Sequence, residues 1–298
     1  MENTLAIIGA GRVGRALGRR LRELGWKIGA VITRGEASAR RAVRVIGAGK
    51  SHAQMTRQIV LSRVILIAVP DDEIAGVAQE LARIGAEELR GKVVLHTSGA
   101  LDERVLDHVK ACGAAVGSIH PLQSFSGVAV PLLEGRAFAV EGDSPAVRVA
   151  RQIARSLGGS PVRIPNGKKV LYHVAATMAA SNVLAVEEAA TQLLMSVGLK
   201  RGQATRALLA LTRQVLENME QLGPRTAWTG PLSRGDFRVV EAHLEALRAL
   251  PDEFVQAVEA LNQLTARVLA QDAEGMLAEL TKSSAGKKAK AKVAGGNA

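Results

Sequence analysis

The sequence predicts an α/β fold with a largely parallel, doubly wound sheet, followed by an all-α C-terminal domain. In the first half of the 298 residues, short runs rich in β-branched residues alternate with stretches of helical periodicity. This alternation is typical of a parallel sheet covered by helices on both faces. The runs show little alternation of apolar and polar residues, as expected of strands buried on both sides. From residue 168 to residue 280 only helical periodicity is present.

The predicted elements follow in order along the chain. Apolar, β-branched runs predict strands at Leu5–Ile8, Ile28–Thr33, Val64–Val69, Val93–His96, Ala115–Ile119, Ala137–Val140 and Val162–Ile164. Helical spacing between them predicts helices at Val13–Leu24, Ala37–Ile46, Asp72–Ile84, Glu103–Ala111 and Pro145–Leu157. The second half predicts helices at Lys168–Val197, Gly202–Leu222, Phe237–Ala249 and Asp252–Ala270, and a short last helix to Leu280. We therefore expect an α/β domain over residues 1–165, a helical domain over 166–281 and a disordered lysine-rich tail over 282–298.

Three spaced glycines follow the first predicted strand. The stretch reads Gly9-Ala-Gly11-Arg-Val-Gly14 and leads into a helix. This is the spacing of a dinucleotide fingerprint, and its strand–turn–helix context is the one in which the fingerprint is meaningful. Gly9 permits a tight turn, Gly11 lets backbone approach a pyrophosphate, and Gly14 lets helix and strand pack closely. The first domain is therefore predicted to be Rossmann-like, with the anion at the start of the helix. The alternative is a glycine turn without a ligand.

The end of the second predicted strand indicates which dinucleotide binds. An NAD site usually has Asp or Glu there, whereas this strand ends in Thr33 and is followed by Arg34. Arginine pairs with a 2′-phosphate and a carboxylate repels it, so we expect NADP(H). The alternative is that Arg34 only faces solvent. The expected cofactor-binding residues are Gly9, Gly11, Arg12, Val13, Gly14, Thr33, Arg34, Val69 and Pro70. Asp71 or Asp72, which follow Pro70, are expected only to cap the next helix.

Polar side chains follow two later strands. Ser98 lies in HTSGAL, and His120, Gln123 and Ser124 lie in HPLQSF. Ligands of open α/β sheets bind outside the carboxyl ends of the strands, where both segments arrive. Histidine suits proton transfer near neutral pH, and hydroxyl and amide groups suit hydrogen bonding to developing charge. The alternatives are that His96 is buried in its strand and that His120 braces the turn before Pro121.

The long predicted helix carries the next candidates. Lys169, His173 and Thr177 are spaced i, i+4, i+8 and share one face. We expect Lys169 and His173 to be catalytic; the alternative places Lys169 in solvent and His173 in a satisfied core hydrogen bond. The middle of the helix is apolar almost all round, as in helices buried on every side. Because the helix is long for a modest domain, we expect it to be buried in part against a second subunit, in a homodimer.

The loop Trp228–Phe237 contains the last candidates. Thr229 and Gly230 can donate hydrogen bonds, and Arg234 can clamp a substrate carboxylate or pair with a surface acid. Asp236 is expected to cap the following helix.

Composition excludes several classes of protein. The net charge is +11, but five of the lysines lie after Thr281, in a segment without aromatic residues for base stacking. We therefore do not expect nucleic-acid binding. The one cysteine cannot form an internal disulfide, and no cluster has the spacing of a metal site. With no leader and no clear membrane span, the chain is expected to be cytoplasmic.

Six motifs together resemble a known bacterial family. GAGRVG, AVPD, HTSGAL, HPLQSF, YHVAATMAASN and TGPLSRGD, in this order, resemble proteins in which a Rossmann-like domain precedes domain of unknown function 2520. That family is similar to the group containing 6-phosphogluconate dehydrogenase, β-hydroxyacid dehydrogenases, ketopantoate reductase and pyrroline-5-carboxylate reductase. The resemblance implies a nicotinamide-dependent reductase or dehydrogenase, often dimeric through the helical domain, with ketopantoate as the leading substrate.

The resemblance also bears on single residues. Hydroxyacid dehydrogenases of the group place asparagines three and four residues after the helix lysine, where this chain has Tyr172 and His173. HPLQSF is similar to a His-Pro element of prephenate dehydrogenases, which implies that His120 meets substrate. TGPLSRGD occupies the place of the Thr-Ser-Pro loop of pyrroline-5-carboxylate reductases.

The resulting prediction is an NADP(H)-dependent oxidoreductase acting on a small carboxylated carbonyl, such as a 2-keto acid, or an imine. The expected catalytic residues are Ser98, His120, Lys169 and His173, with the proton donor open among the last three. The expected substrate-binding residues are Gln123, Ser124, Thr229, Gly230 and Arg234. The alternative is a protein that senses NADP(H) without chemistry.

Overall fold

The computed structural model describes residues 3–282. The chain forms two compact units, divided between Asn182 and Val183. The domain boundary expected at residue 165/166 stays a prediction. The expected tail lies almost wholly outside the described residues.

The first unit is built on one eight-stranded sheet. Its spatial order is β3-β2-β1-β4-β5-β6-β7-β8, and every neighbouring pair is parallel except β6 and β7. The strands are β1 Thr4–Ile8, β2 Lys27–Ile32, β3 Lys50–His52, β4 Val64–Ile67, β5 Val93–His96, β6 Ala115–Pro121, β7 Ala137–Gly142 and β8 Ser160–Arg163. The predicted α/β class with a largely parallel sheet is confirmed.

Helices cover both faces of this sheet, so its apolar strands are buried on two sides. The helices of this unit are α1 Arg12–Glu23, α2 Glu36–Ile46, α3 Asp71–Gly85, α4 Asp107–Ala111 and α5 Ser144–Ser156, followed by α6 Lys169–Thr177. One buried cluster contains Leu5, Ile7 and Phe138, and another contains Ile8, Ile65 and Ile74. Successive side chains of a strand point to opposite faces, which is why Ile7 and Ile8 belong to different clusters.

One strand of the first unit was missed, and one local prediction is wrong. The strand β3 was not expected, because three residues reading Lys-Ser-His carry no apolar pattern. Neither Asp71 nor Asp72 caps α3: the N-cap position is Pro70, and no side chain caps it. The carboxylate of Asp71 bonds elsewhere, in the candidate site.

The second unit is helical within the described residues. Its helices are α7 Val183–Ser196, α8 Arg201–Leu222, α9 Pro224–Ala227, α10 Phe237–Leu247 and α11 Asp252–Leu269, and residues 273–282 are also helical. The guanidinium of Arg201 forms an ion pair with Glu188 at 2.9 Å, which ties α8 to α7. The short α9 was not predicted.

The long predicted helix is continuous but irregular. Five residues, Met178–Asn182, form a π-helical turn between α6 and α7, and such turns are frequent at functional sites. Most side chains of this helix are exposed in the single chain, including Leu171 at 67% and Leu184 at 72%. Its expected burial in part against a second subunit stays a prediction. By length and composition alone, Lys169–Ser196 is the one helix among the described residues that could span a membrane, a test that core helices also pass.

Candidate active site

The glycine turn has the geometry that a dinucleotide cradle requires. Gly9 has φ +84°, and a Cβ there would lie 2.5 Å from Cγ1 of Val69. A Cβ on Gly14 would lie 2.6 Å from the carbonyl oxygen of Gly9, so only glycine lets α1 pack this closely on the turn. A Cβ on Gly11, in contrast, would meet nothing within 4 Å. Gly11 therefore faces open space.

The start of α1 is free of competing groups. Gly11 is the N-cap residue, no side chain caps the helix, and the first turn contains no acid. The first amides of a helix have no intrahelical partner, and the helix dipole favours an anion beside them. Arg12 is exposed and Val13 half-buried in this turn, while Val69 and Pro70 follow the neighbouring strand β4. These residues fit the diphosphate of a dinucleotide.

Thr33 and Arg34 lie at the carboxyl end of β2 and are engaged locally. The hydroxyls of Thr33 and Ser38 are 2.6 Å apart. Nη1 of Arg34 donates to Oε1 of Glu73 at 3.0 Å, although the Arg34 side chain is 86% exposed. A 2′-phosphate held by Arg34 would therefore compete with Glu73.

A lysine is buried at the carboxyl ends of β5 and β6. Nζ of Lys169, on α6, donates to the carbonyl oxygen of Ser98 at 2.7 Å and to Oγ of Ser118 at 2.9 Å. The side chain is only 2% exposed. The first turn of α6 is thereby attached to both strands. The alternative that placed Lys169 in solvent is wrong.

Ser98 is engaged through both its hydroxyl and its carbonyl. The hydroxyl donates to Oδ2 of Asp71 at 2.8 Å and accepts from the amides of Ala100 and Leu101. Because these contacts and Lys169 use the polar groups of Ser98, this residue is suited to shape the loop. His96 is fully buried in β5, where its Nδ1 accepts from the amide of Ser98.

Two histidine rings lie against Gly99, and one of them contacts Tyr172. Nδ1 of His120, on β6, lies 2.8 Å from the hydroxyl of Tyr172 on α6. The rings of His120 and His173 meet edge to face, with centroids 6.0 Å apart. A Cβ on Gly99 would lie 2.6 Å from Cδ2 of His173 and 3.0 Å from Nε2 of His120. Glycine at this position lets the main chain approach both rings.

Burial sets the charge states of these groups. Burial, with the charges of Lys169 and His173 as smaller causes, lowers the pKa of His120 to about 4. Burial lowers the pKa of Lys169 to about 8, opposed by the charge of Asp71. Burial likewise raises the pKa of Tyr172 to about 12. At neutral pH the imidazole of His120 is therefore neutral, whereas the amine of Lys169 keeps its proton.

His96 is a second buried imidazole near the lysine. Burial, with the charge of Lys169 as a smaller cause, lowers its pKa to about 3. Its Nε2 lies 3.3 Å from the carbonyl oxygen of Asp102. Because Nδ1 accepts from Ser98, the ring proton is assigned to Nε2.

The remaining predicted residues make local contacts within their own units. Nε2 of Gln123 donates to the carbonyl oxygen of Ser124 at 3.0 Å, in the loop after β6. In the second unit, the carbonyl of Gly230 accepts from Ser233, and Thr229 is exposed. Arg234 forms an ion pair with Asp236 at 3.0 Å, so the carboxylate of Asp236, at the N-cap position of α10, makes no side-chain cap.

Several residues of the cluster were missed by sequence reasoning. They are Asp71, Gly99, Ser118 and Tyr172. Tyr172 is three residues after Lys169 on α6, so helical spacing alone places it on the same side of the helix as the lysine. Of the missed residues, it is the one that a sequence pattern could have indicated. Among residues 3–282, no group of three or more His, Cys, Asp or Glu side chains is arranged to hold a metal ion.

Comparison with known proteins identifies two domain families. Residues 2–121 match the model of a Rossmann-like domain, and residues 136–268 match domain of unknown function 2520. No curated protein matches the sequence.

Solved structures share the fold over most of the chain. A protein from Thermotoga maritima is 27% identical, with a TM-score of 0.65 over 88% of this chain and 100% of its own. A candidate NADP oxidoreductase from Bacteroides fragilis is 22% identical, with a TM-score of 0.71 over 88% of this chain and 97% of its own. A reductive aminase from Aspergillus terreus, in complex with NADPH and ethyl-5-oxohexanoate, is 19% identical, with a TM-score of 0.59 over 97% of this chain and 94% of its own. The chain thus joins a Rossmann-like domain to domain of unknown function 2520, the combination that its motifs predicted.

Proposed function

We propose that the protein is an NADP(H)-dependent oxidoreductase acting on a small carboxylated carbonyl or imine. One observation carries the proposal: the open glycine turn after β1 and the Lys169–His120 cluster after β5 and β6 lie at the same edge of one sheet. Ligands of open α/β sheets bind along that edge. One extended ligand could therefore reach both the glycine turn, which suits a diphosphate, and the Lys169–His120 cluster, which can supply a proton.

The residues of the glycine turn fit a dinucleotide. The space above Gly11 and the free amides of α1 suit the diphosphate. Thr33 and Arg34 suit a 2′-phosphate, because a guanidinium pairs with phosphate through two parallel hydrogen bonds. The Aspergillus terreus and Bacteroides fragilis relatives, which are named for NADPH and NADP, support this choice of cofactor. When bound, NADPH would supply a hydride to the substrate.

Lys169 is the proposed proton source. Reduction of a carbonyl or imine leaves an oxygen or nitrogen that must gain a proton. Lys169 is protonated at neutral pH, whereas His120 is neutral and His173 contacts the segment at Gly99. Neutral His120, oriented by Tyr172, is proposed to hydrogen-bond the substrate through Nε2. Ser98 is proposed to position this segment through its bonds to Asp71 and Lys169.

The substrate is proposed to be a small carboxylated molecule. A 2-keto acid such as ketopantoate is the first candidate, and a cyclic or condensed imine is the second. The keto ester bound to the Aspergillus terreus reductive aminase supports a carbonyl or imine substrate class. Gln123, Ser124, Thr229, Gly230 and Arg234 are proposed to contact the substrate, with Arg234 leaving Asp236 to bind the carboxylate.

The test has two stages. Calorimetric titration with NADPH and NADH measures cofactor binding and preference. Absorbance of NADPH is then followed with a panel of 2-keto acids, ketone–amine pairs and cyclic imines, using wild type and Lys169→Met. Turnover that depends on Lys169 supports the proposal. Tight NADPH binding without turnover of any substrate supports the sensing role, and no binding overturns both.

We further propose a cytoplasmic homodimer formed through the helical domain. The apolar side chains that α6 and α7 expose need a cover, and Glu187 and Glu188 within the span argue against a lipid environment. Glu188 already pairs with Arg201, and Glu187 accepts from Thr212, which is typical of packed soluble helices. Light scattering on the purified protein without detergent should give a dimer mass; a monomer, or a requirement for detergent, would overturn this.

A further inference from the structure

Glu141 is a buried carboxylate without an assigned role. It lies on β7, and its side chain is only 1% exposed. Its Oε2 accepts from the hydroxyl of Ser118 at 3.3 Å, and its Oε1 accepts from the amide of Glu103 at 3.4 Å. A carboxylate this deeply buried is costly unless it is neutral or paired with an opposite charge.

The pairing of two strands fixes where this carboxylate points. In the antiparallel ladder of β6 and β7, Ser118 stands directly opposite Glu141. Opposite residues of such a pair place their side chains on one face of the sheet, within contact distance. The neighbouring pair is Gly117 and Gly142, and a Cβ on Gly142 would lie 2.4 Å from the carbonyl oxygen of Val116. Two glycines therefore let the strands approach closely beside the acid.

One hydroxyl separates Glu141 from Lys169. Oγ of Ser118 accepts from Nζ of Lys169 at 2.9 Å and donates to Glu141, so all donors along this chain point from ammonium to carboxylate. Hydrogen bonds aligned in this way strengthen one another in a medium of low dielectric. The two atoms that contact Lys169, the Ser98 carbonyl and the Ser118 hydroxyl, are both uncharged. Among residues 3–282 the lysine thus has no direct counterion.

We propose that Glu141 is the buried counterion of Lys169, acting through Ser118 to keep the amine protonated at neutral pH. Glu141 is a positioning residue, because it contacts Ser118 and neither the expected cofactor nor the expected substrate. The consequence for turnover rests on the proposed function, whereas the charge state of Lys169 does not.

Other groups also face Lys169 and enter the balance. They are Asp71 on α3, His96 on β5, Asp102 and Glu103 after β5, and His120 on β6, whereas Tyr172 and His173 contact His120. The acids Asp71, Asp102 and Glu103 raise the pKa of Lys169 against the lowering by burial. Of these, Asp71 accepts from the hydroxyl of Ser98, whose separate carbonyl oxygen accepts from Lys169. Glu141 differs from Asp71 because a single hydroxyl group, that of Ser118, contacts both it and Lys169.

The test measures the protonation of Lys169 directly and needs neither cofactor nor substrate. The ¹³Cε resonance of Lys169, assigned by its loss in Lys169→Arg, is titrated in wild type, Glu141→Gln and Glu134→Gln. Glu141→Gln should lower the pKa of Lys169 by about one to two units, since an opposite charge at this range has effects of that size. Glu134→Gln, which removes an exposed acid that precedes β7, should leave that pKa unchanged.

A second variant keeps the proposal testable if Glu141→Gln fails to fold. Ser118→Ala retains the carboxylate but removes the bridge, and should also lower the pKa of Lys169. An unchanged Lys169 pKa in a folded Glu141→Gln or Ser118→Ala protein would overturn the proposal, even if the melting temperature falls. So would a wild-type titration in which Lys169 is already neutral at pH 7.

If an assayed substrate is in hand, the pH profile gives a second readout. A pKa lowered by about 1.5 units leaves roughly eightfold less protonated Lys169 at pH 7.5. Turnover of Glu141→Gln should fall by that factor at pH 7.5 and recover as the pH is lowered. A loss of turnover that is equal at every pH would assign Glu141 a structural role only. Absence of any turnover in wild type would count against the proposed function and leave the resonance titration intact.

Discussion

The hydroxyl of Tyr172 lies 2.8 Å from Nδ1 of His120, and both groups are uncharged at neutral pH. A phenol that donates to Nδ1 leaves the proton of a neutral imidazole on Nε2, the atom that faces Gly99. The pair therefore sets both the orientation and the tautomer of His120.

Tyr172→Phe should lower turnover by up to about tenfold, the value of one lost hydrogen bond. Cofactor affinity should change little, because the ring remains and the glycine turn is untouched. Steady-state kinetics and NADPH titration separate the two effects. Because Tyr172 is the only tyrosine, ultraviolet absorbance also measures its pKa directly: at pH 10, where a free tyrosine is half ionised, almost no phenolate should be present. Half-ionisation near pH 10 would show that the phenol is not held as described.

Gly11→Ala should weaken NADPH binding by at least about tenfold and leave the free energy of unfolding nearly unchanged. The new methyl group would meet no protein atom within 4 Å, and φ of −71° suits alanine, so it would intrude only on the diphosphate. Gly76→Ala is the matched control, since its Cβ also meets nothing and lies within α3. It should stabilise the fold by about 0.5–1 kcal/mol without changing affinity. Equal NADPH affinities for the two variants would contradict the cradle.

Gly99→Ala should impair turnover more than cofactor binding. Its methyl group would lie 2.6 Å from His173 and 3.0 Å from His120, so at least one ring must move, at a cost of about 1–3 kcal/mol. Turnover, NADPH affinity and melting temperature are measured together, again against Gly76→Ala. Wild-type turnover in this variant would remove both histidines from the proposed chemistry.

The pH dependence of turnover distinguishes the two proton donors. If Lys169 donates, activity requires its protonated form and should be level up to about pH 7.5, then fall tenfold per unit above its pKa of about 8. If His120 donates, activity should already decline above its pKa of about 4. The alkaline limb should be lost in Lys169→Met, whose residual rate no longer depends on an amine.

The lowered pKa of Lys169 also makes the free energy of unfolding depend on pH in a definite direction. Between about pH 8 and the ordinary lysine value of 10.5, the unfolded chain binds more protons at this position than the native one. The contribution of Lys169 to the free energy of unfolding should therefore rise with pH across that window. Denaturant unfolding of wild type and Lys169→Met, compared at pH 7 and pH 10, isolates this contribution; an opposite slope would mean that the native site raises the lysine pKa.

Arg34→Ala should reduce the preference for NADPH over NADH. Loss of the guanidinium removes a partner of the 2′-phosphate, so the Kd for NADPH should rise by roughly tenfold while that for NADH stays constant. Arg40→Ala is the control, because Arg40 pairs with Glu36 on the exposed face of α2. A parallel loss of affinity for both cofactors would place Arg34 away from the 2′-phosphate.

The fold could be predicted because its signals are local. Apolar β-branched runs and helical spacing located β5 at its observed bounds and the other long strands within a few residues. The π-helical turn at Met178–Asn182 and the exposure of the helix around it were not visible, because both depend on tertiary packing.

The candidate site was only partly predictable. Helical spacing connected Lys169 with His173, and the order of strands brought Ser98 and His120 to one edge. The contact between Ser98 and Asp71 joins residues 27 positions apart, so no local pattern indicated it. The expected role of Asp71 as a helix cap also gave no reason to place this acid in the site. The position of Glu141 opposite Ser118 follows from the register of one antiparallel strand pair in a sheet that was predicted to be largely parallel. No sequence pattern indicated that register.

The glycine pair of β6 and β7 limits how the protein can be engineered. Replacing Gly117 or Gly142 with alanine is a routine way to stiffen a strand, but here an added methyl group would collide with the opposite backbone and spread the two strands. Any such spreading lengthens the link between Ser118 and Glu141, so we expect attempts to rigidify this edge to change the acidity of the Lys169 amine as well.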